Sequence, residues 1–253
     1  MKLIYDVRFQ DSRYATDNAA MPGRMEAALS GLLPGPWDVV APVPATVEQL
    51  LLAHDEGYVQ GVTGDAPRFA MASLAAGGAI LAGRLAHGGE PAFACVRPPG
   101  HHASRMGAWG HCTFSNLALA LLVLRAEGRI QSAFILDIDA HTGDGTRDVL
   151  VHWPRAEVFN PFAATPAEYL DLVEARLAGL AEADIIAVSA GFDAYRLDVG
   201  HKLDTPDFRR LGELAREAAR RLCRGRRFAV LEGGYYLPDL GANVRAFCEG
   251  FAG

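Results

Sequence analysis

Short, nearly continuous apolar runs alternate with longer helical patterns along the whole chain. This alternation constrains the fold more than any other feature. The β-rich runs fall at 1–7, 92–96, 133–137, 184–189 and 227–231. Interior ones such as AFILD and IIAVS have almost no polar position, as strands buried on both faces of a parallel sheet require. Helical patterns occupy 24–33, 70–86, 116–126, 166–181, 206–222 and 240–251. Ser115 or Asn116 is placed to cap the third. Thr205 and Pro206 would start the fifth with a cap and a proline at its first position. The expected architecture is α/β, one domain over residues 1–253, with a parallel sheet flanked by helices on both faces.

Composition narrows the function classes. Half of the 253 residues are hydrophobic, enough for a sizeable core, and no linker, repeat or low-complexity tract interrupts them. A net charge of −6 argues against a nucleic-acid binder, which would show a basic face, and is compatible with a cationic substrate. Cys95, Cys112, Cys223 and Cys248 form no CxxC pair, so neither a disulfide framework nor a cysteine zinc site is expected. The N-terminus MKLIYDVRFQDS lacks a signal peptide's long apolar run. No stretch reads as the ~18 apolar residues of a membrane span. The expectation is a soluble, cytoplasmic protein with no nucleic-acid or membrane partner.

In a parallel sheet, ligands bind where the carboxyl ends of strands open into loops. Four of the runs lead directly into polar, glycine-rich segments: RPPGHHAS (97–104), DIDAHTGDGT (137–146), SAGFDAYRLD (189–198) and LEGGYY (231–236). In the second, Asp137, Asp139 and His141 alternate, so at a strand end all three can point to one face. Two carboxylates converging without a base repel one another, and a bound cation removes that penalty. Oxygen and nitrogen ligands without thiolate suit zinc, iron(II), manganese or cobalt. The plainer alternative is a polar strand end before a glycine turn. Asp193 in the third segment would complete an Asp-His-Asp set with open coordination positions, the mark of a catalytic metal; alone it reads more readily as a cap or turn former. His101 and His102 are adjacent and diverge, which suits proton transfer better than joint ligation. Asp137 and Asp144 are available to orient them. Tyr235 follows two glycines that allow a tight turn, and its hydroxyl could stabilise an oxyanion or its ring simply pack.

With these segments in this order, the sequence resembles the histone deacetylase family, including its bacterial amidohydrolase and acetylpolyamine deacetylase members. RPPGHHA, GHCTFSNLALA (110–120), ILDIDAHTGDGT, VSAGFDA and LEGGYY carry the resemblance, with an upstream fragment PATVEQLLLAHDEGYVQGV (44–62). It implies the arginase–deacetylase fold, an eight-stranded parallel sheet between helices, and a mononuclear zinc hydrolase in which Fe²⁺ can replace Zn²⁺. It puts the metal on Asp139, His141 and Asp193. It makes His102 with Asp144 the general base and acid, and His101 with Asp137 their electrostatic partner. Tyr235, directly after the double glycine, matches the oxyanion tyrosine. Asp65 lines up with an acid at the pocket rim, Gly110 and His111 with the pocket wall, and Arg24 with an internal product channel. K⁺ near the metal loop is implied as well, held in part by carbonyls of Asp137, Asp139 and His141.

Departures from the pattern bear on the substrate. Thr142 stands where the family commonly has a second histidine in the metal loop, and His111 where it has an aromatic wall residue. Between Val158 and Asp184 the chain is too short for the family's SLH…PGTG loop, which builds another wall of the acyl-lysine tunnel. The expected reaction is removal of an acyl group from an amine, the substrate being a small acylated amine or an acyl-lysine. A small acylated metabolite or ester, a weakly catalytic binding protein and a manganese ureohydrolase are the alternatives. The full His-His-Tyr set counts against the binding protein, and a single Asp-His-Asp set against a two-metal ureohydrolase. A homo-oligomer could rebuild the missing walls.

Overall fold

The computed structural model describes residues 1–253. In chain order the elements are β1 (Lys2–Ile4), α1 (Arg24–Ser30), β2 (Asp38–Val40), α2 (Val47–Leu50), α3 (Glu56–Thr63), α4 (Ala66–His87), β3 (Ala92–Ala94) and α5 (Asn116–Ala126). They continue with β4 (Ala133–Asp137), α6 (Asp144–Leu150), β5 (Ala156–Phe159), α7 (Pro166–Ala178), β6 (Ile186–Ala190), α8 (Thr205–Cys223), β7 (Arg227–Leu231) and α9 (Leu237–Ala252). All seven strands are parallel, in the order β2-β1-β3-β7-β6-β4-β5. The sheet therefore has seven strands, not the eight that the family resemblance implied.

Every residue of β3, β4, β6 and β7 is buried. That requires cover on both faces, because successive side chains point to opposite sides. α4 and α5 pack together against β3, β6 and β7, while α8 packs on β6 and β7 together with α7 and α9. Phe192, Phe208, Phe247 and Phe251 fill the layer under α8 and α9 in a chain of ring contacts 5.1–6.0 Å apart. The buried apolar side chains form one continuous core.

The two strands missing from the sequence reading are the sheet's edges. β2 is largely exposed and β5 carries Glu157 on a half-buried face. An edge strand covered on one side lacks the continuous apolar run by which the inner strands announce themselves. β1 ends at Ile4 because Asp6 accepts the N–H of Arg8 and turns the chain into a 3₁₀ helix.

Several helix ends differ from expectation. The cap of α8 is Asp204, whose N–H donates to the Asp207 carboxylate at 2.7 Å, so Pro206 sits in the second helical position. Ser115 occupies the cap of α5 without a side-chain cap bond, its N–H going instead to His54. α4 starts earlier, at Ala66. It is also, against the sequence reading, long and apolar enough by composition to cross a membrane. In this fold 72% of that apolar window is buried, as in the core helix of a doubly covered sheet.

Candidate active site

Four neighbouring strands at the middle of the sheet, β3-β7-β6-β4, deliver the four polar segments to one edge. β3 leads to His101 and His102, β7 to Tyr235, β6 to Asp193, and β4 to Asp139 and His141. Because the strands are parallel and adjacent, their carboxyl ends open side by side.

Asp139, His141 and Asp193 each present a ligand atom within 4.8 Å of the others. Backbone donors hold the carboxylates: Gly233 N–H reaches Asp139 Oδ2 at 2.9 Å, and Ala140 N–H reaches Asp193 Oδ1 at 2.9 Å. His141 Nδ1 lies 3.0 Å from Asp139 Oδ1 and 3.1 Å from Asp193 Oδ2. An imidazole nitrogen carries one hydrogen, so it can serve only one of them. It serves Asp139, and buried Asp193 Oδ2 is left without a hydrogen-bond partner. The titration behaviour shows the same demand for positive charge. The hydrogen bond to Asp139 and the Asp193 carboxylate close by push His141 up to about 10. Burial, then the charge of Asp139, raises Asp193 above the usual carboxylate range. For Asp139, burial is outweighed by His101 and His141, which hold it below the usual carboxylate range. Two buried carboxylates, an imidazole and an orphaned carboxylate oxygen fit a divalent cation.

Beside this cluster lie two histidine–carboxylate pairs. His101 Nδ1 is 3.1 Å from Asp137 Oδ2, and His102 Nδ1 is 2.7 Å from Asp144 Oδ1. The rings stand 4.0 Å apart. Their environments push them in opposite directions. Burial disfavours a charged His101, but Asp139 and Asp137 outweigh it and raise its pKa. Burial and the neighbouring His101 lower that of His102 against the pull of Asp144. Two adjacent imidazoles with separated pKa values can hold a proton on one and leave the other free to accept.

Tyr235 is packed under the pocket with the Arg24 guanidinium 5.3 Å from its ring centre. Burial raises its pKa, Arg24 opposing, so the hydroxyl stays a donor. Arg24 itself is fully buried behind the site, donating to the carbonyls of Gly234 and Glu232. The turn before Tyr235 needs glycine: a Cβ at Gly233 would come within 2.6 Å of Asp193 Oδ2 and 2.7 Å of Asp139 Oδ2.

A cavity of about 170 Å³ opens above these groups, lined among others by His101, His102, Asp139, His141 and Tyr235. Gly110 and His111 border it, His111 lying edge-on to Tyr235 with Nδ1 3.8 Å from Asp17 Oδ1. Asp65 does not reach this cavity. It caps α4 by accepting the Arg68 N–H and lines a separate cleft with Met106 and Ala108. Where the SLH…PGTG loop would lie, only residues 160–165 join β5 to α7, with Phe162 at 89% exposure.

Sequence reasoning overlooked five residues. Asp198 Oδ2 accepts the N–H groups of both Tyr235 and Tyr236. Fully buried Glu232 accepts those of Gly100 and His101, and burial pushes its carboxyl up to about 7. Asn160 spans the metal loop from Gly143 N–H to the Asp137 carbonyl. Trp109 covers His102, and Asn18 lines the mouth. The first two sit inside motifs already singled out, where any acid next to a named ligand or glycine pair was a signal. Nothing in the sequence marks Asn160 or Asn18.

Residues 18–165 and 156–251 match the histone deacetylase domain. Among curated proteins, a probable deacetylase of Methanothermobacter thermautotrophicus is 30% identical, over 85% of this chain and 79% of its own length. Histone deacetylase 10, chloroplastic, of Oryza sativa subsp. japonica is 29% identical over 83% of this chain. Acetylpolyamine amidohydrolase 2 of Pseudomonas aeruginosa is 31% identical over 67%. The matches span 62% and 58% of those two relatives' lengths. A crystal structure of the HDA15 HD domain shares the fold with a TM-score of 0.85 at 23% identity, covering 100% of this chain and 91% of that one.

Proposed function

Since this chain belongs to the histone deacetylase family, we propose that it is a metal-dependent hydrolase that removes an acyl group from an amine. The observation that carries this reading is the Asp139, His141 and Asp193 cluster directly beside two oriented histidine–carboxylate pairs. A divalent metal held by those three side chains, zinc by preference, supplies Lewis acidity toward the acyl carbonyl and the attacking water.

The chain's own residues do the rest. His102, held by Asp144, takes a proton from the attacking water and returns it to the departing amine. His101, oriented by Asp137, offers a hydrogen bond or positive potential as negative charge builds on the acyl oxygen. The Tyr235 hydroxyl donates a hydrogen bond to that oxygen. A carboxylic acid and an amine are the products.

For the substrate, we favour a small acylated amine, wider or more polar than an acetyl-lysine peptide. His111 stands where the family has an apolar wall, and the 160–165 connection is too short to supply the family's other wall. The test is metal analysis of purified protein with hydrolysis assays on acetylpolyamines, acetyl-lysine peptides and esters, before and after chelation. About one divalent metal per chain, with amide hydrolysis lost on chelation and restored by zinc, supports the reading. Hydrolysis undiminished in metal-free protein overturns it, as does metal-replete protein inert toward every acyl compound.

A further inference from the structure

The two histidine–carboxylate pairs are not held alike. Asp137 is wholly buried, and its second oxygen accepts the Asp139 N–H at 3.2 Å. Asp144 sits in the first turn of α6 with 52% of its side chain exposed. A carboxylate half in water has freedom to rotate and to exchange its partner for solvent. Here Trp109 intervenes. Its Nε1–H donates to Asp144 Oδ2 at 2.9 Å while Oδ1 takes His102. Both oxygens are thus engaged in one geometry.

The same indole ring stacks on the His102 imidazole, with centroids 3.7 Å apart and planes 27° apart. His101 lies on the imidazole as well, 4.0 Å away. Burial of apolar surface does not explain this placement, because Trp109 itself remains 56% exposed. The backbone adopts uncommon conformations beside it. Gly110 and His111 have φ of +57° and +71°, and a Cβ at Gly110 would stand 2.4 Å from His102 Cδ2. Only a glycine permits this approach, and it sets Trp109 on one side of the imidazole and His111 toward Tyr235.

We propose that Trp109 is a positioning residue for the His102–Asp144 pair: its indole N–H fixes the carboxylate, and its ring shields the imidazole from water. The assignment rests on the proton-transfer role proposed for His102. Trp109→Phe keeps a stacking ring and removes the N–H, whereas Trp109→Leu removes both. With metal content and melting temperature unchanged, kcat should fall about tenfold in the first variant and further in the second, the usual range for a group that orients a functional side chain. Trp109 also borders the cavity, so KM shifts too, but the larger loss should fall on kcat.

A second measurement does not depend on turnover. With three tryptophans in the chain, the Trp109 indole N–H resonance is identified by its loss in Trp109→Phe. It should move upfield in Asp144→Ala, where its acceptor is gone. Unchanged kcat in both Trp109 variants overturns the proposal, and so does an indole resonance indifferent to Asp144→Ala. Were the parent protein inactive on all acyl compounds, the hydrolase reading would fall, and the indole resonance would still decide whether Trp109 holds Asp144.

Discussion

Asp198 Oδ2 accepts the backbone N–H of Tyr235 at 2.5 Å, and takes the Tyr236 N–H at 2.7 Å with the same oxygen. The acid that holds the proposed oxyanion tyrosine therefore comes from the loop that carries Asp193, five positions further along. Asp198→Ala strands two donors at the start of α9, and should destabilise the fold by about 1–3 kcal/mol. It should also lower kcat while the metal is retained. Denaturant melts and metal analysis measure both; a melt indistinguishable from wild type removes the clamp from the account.

The proposed metal cluster has no spare ligand. Asp139→Ala, His141→Ala and Asp193→Ala should each lose stoichiometric metal on dialysis, because two protein ligands hold a divalent ion far less well than three. Full zinc occupancy surviving in all three variants contradicts the assignment.

Catalysis and metal binding should separate at two other positions. His102→Ala and Tyr235→Phe are expected to keep the metal and lose about 10²-fold or more in kcat, the scale for removing a general base or an oxyanion donor. Tyr236→Phe should change little. Undiminished turnover with metal in place would show that these side chains do not do the chemistry.

Glu232 gives a pH signature. Burial holds its folded pKa at about 7 against an ordinary 4.5, so the folded state binds its proton more tightly than the unfolded chain does. That contribution is complete below about pH 4.5 and is lost as pH rises to about 7. Glu232→Gln, which cannot ionise, should be spared the loss. Its stability relative to wild type should rise by on the order of 3 kcal/mol between pH 4 and pH 8. Parallel pH-stability curves for the two proteins would contradict this.

The open mouth can be tested by kinetics. On the proposed substrate reading, the site forgoes burial of a lysine stem's methylenes at roughly 0.8 kcal/mol each. Acetyl-lysine peptides should accordingly show kcat/KM below about 10⁴ M⁻¹s⁻¹, the lower end of the ordinary enzyme range. His111→Phe should improve them. Values above that level, unaffected by His111→Phe, would show that the channel is closed by other means.

The residues gathered at the candidate site were legible because motif and strand end coincide. A buried strand such as AFILD or IIAVS ends abruptly in polar residues, and parallel strands open at one edge. What could not be read was adjacency. Nothing in the sequence says that β3, β7, β6 and β4 are neighbours in that order, although this juxtaposition brings His101, Tyr235, Asp193 and Asp139 together. The edge strands β2 and β5 stayed hidden, since one-sided burial leaves no continuous apolar run. Asn160 and Trp109 stayed hidden for a different reason. Each acts through contacts distant in sequence, and a polar atom or ring placed by tertiary packing has no periodicity to reveal it.

The six-residue stretch 160–165 between β5 and α7 contributes no residue to the cavity lining, although Asn160 at its start ties down the 137–143 loop. Every group proposed to act on the acyl carbon is anchored to the four central strands, and none belongs to that connection. Doubling the length of such a surface segment adds only about 0.6 kcal/mol of closure entropy. The junction beyond Asn160 is therefore a natural graft point, where a longer insert could retune substrate choice while Asn160 keeps its hold on the 137–143 loop.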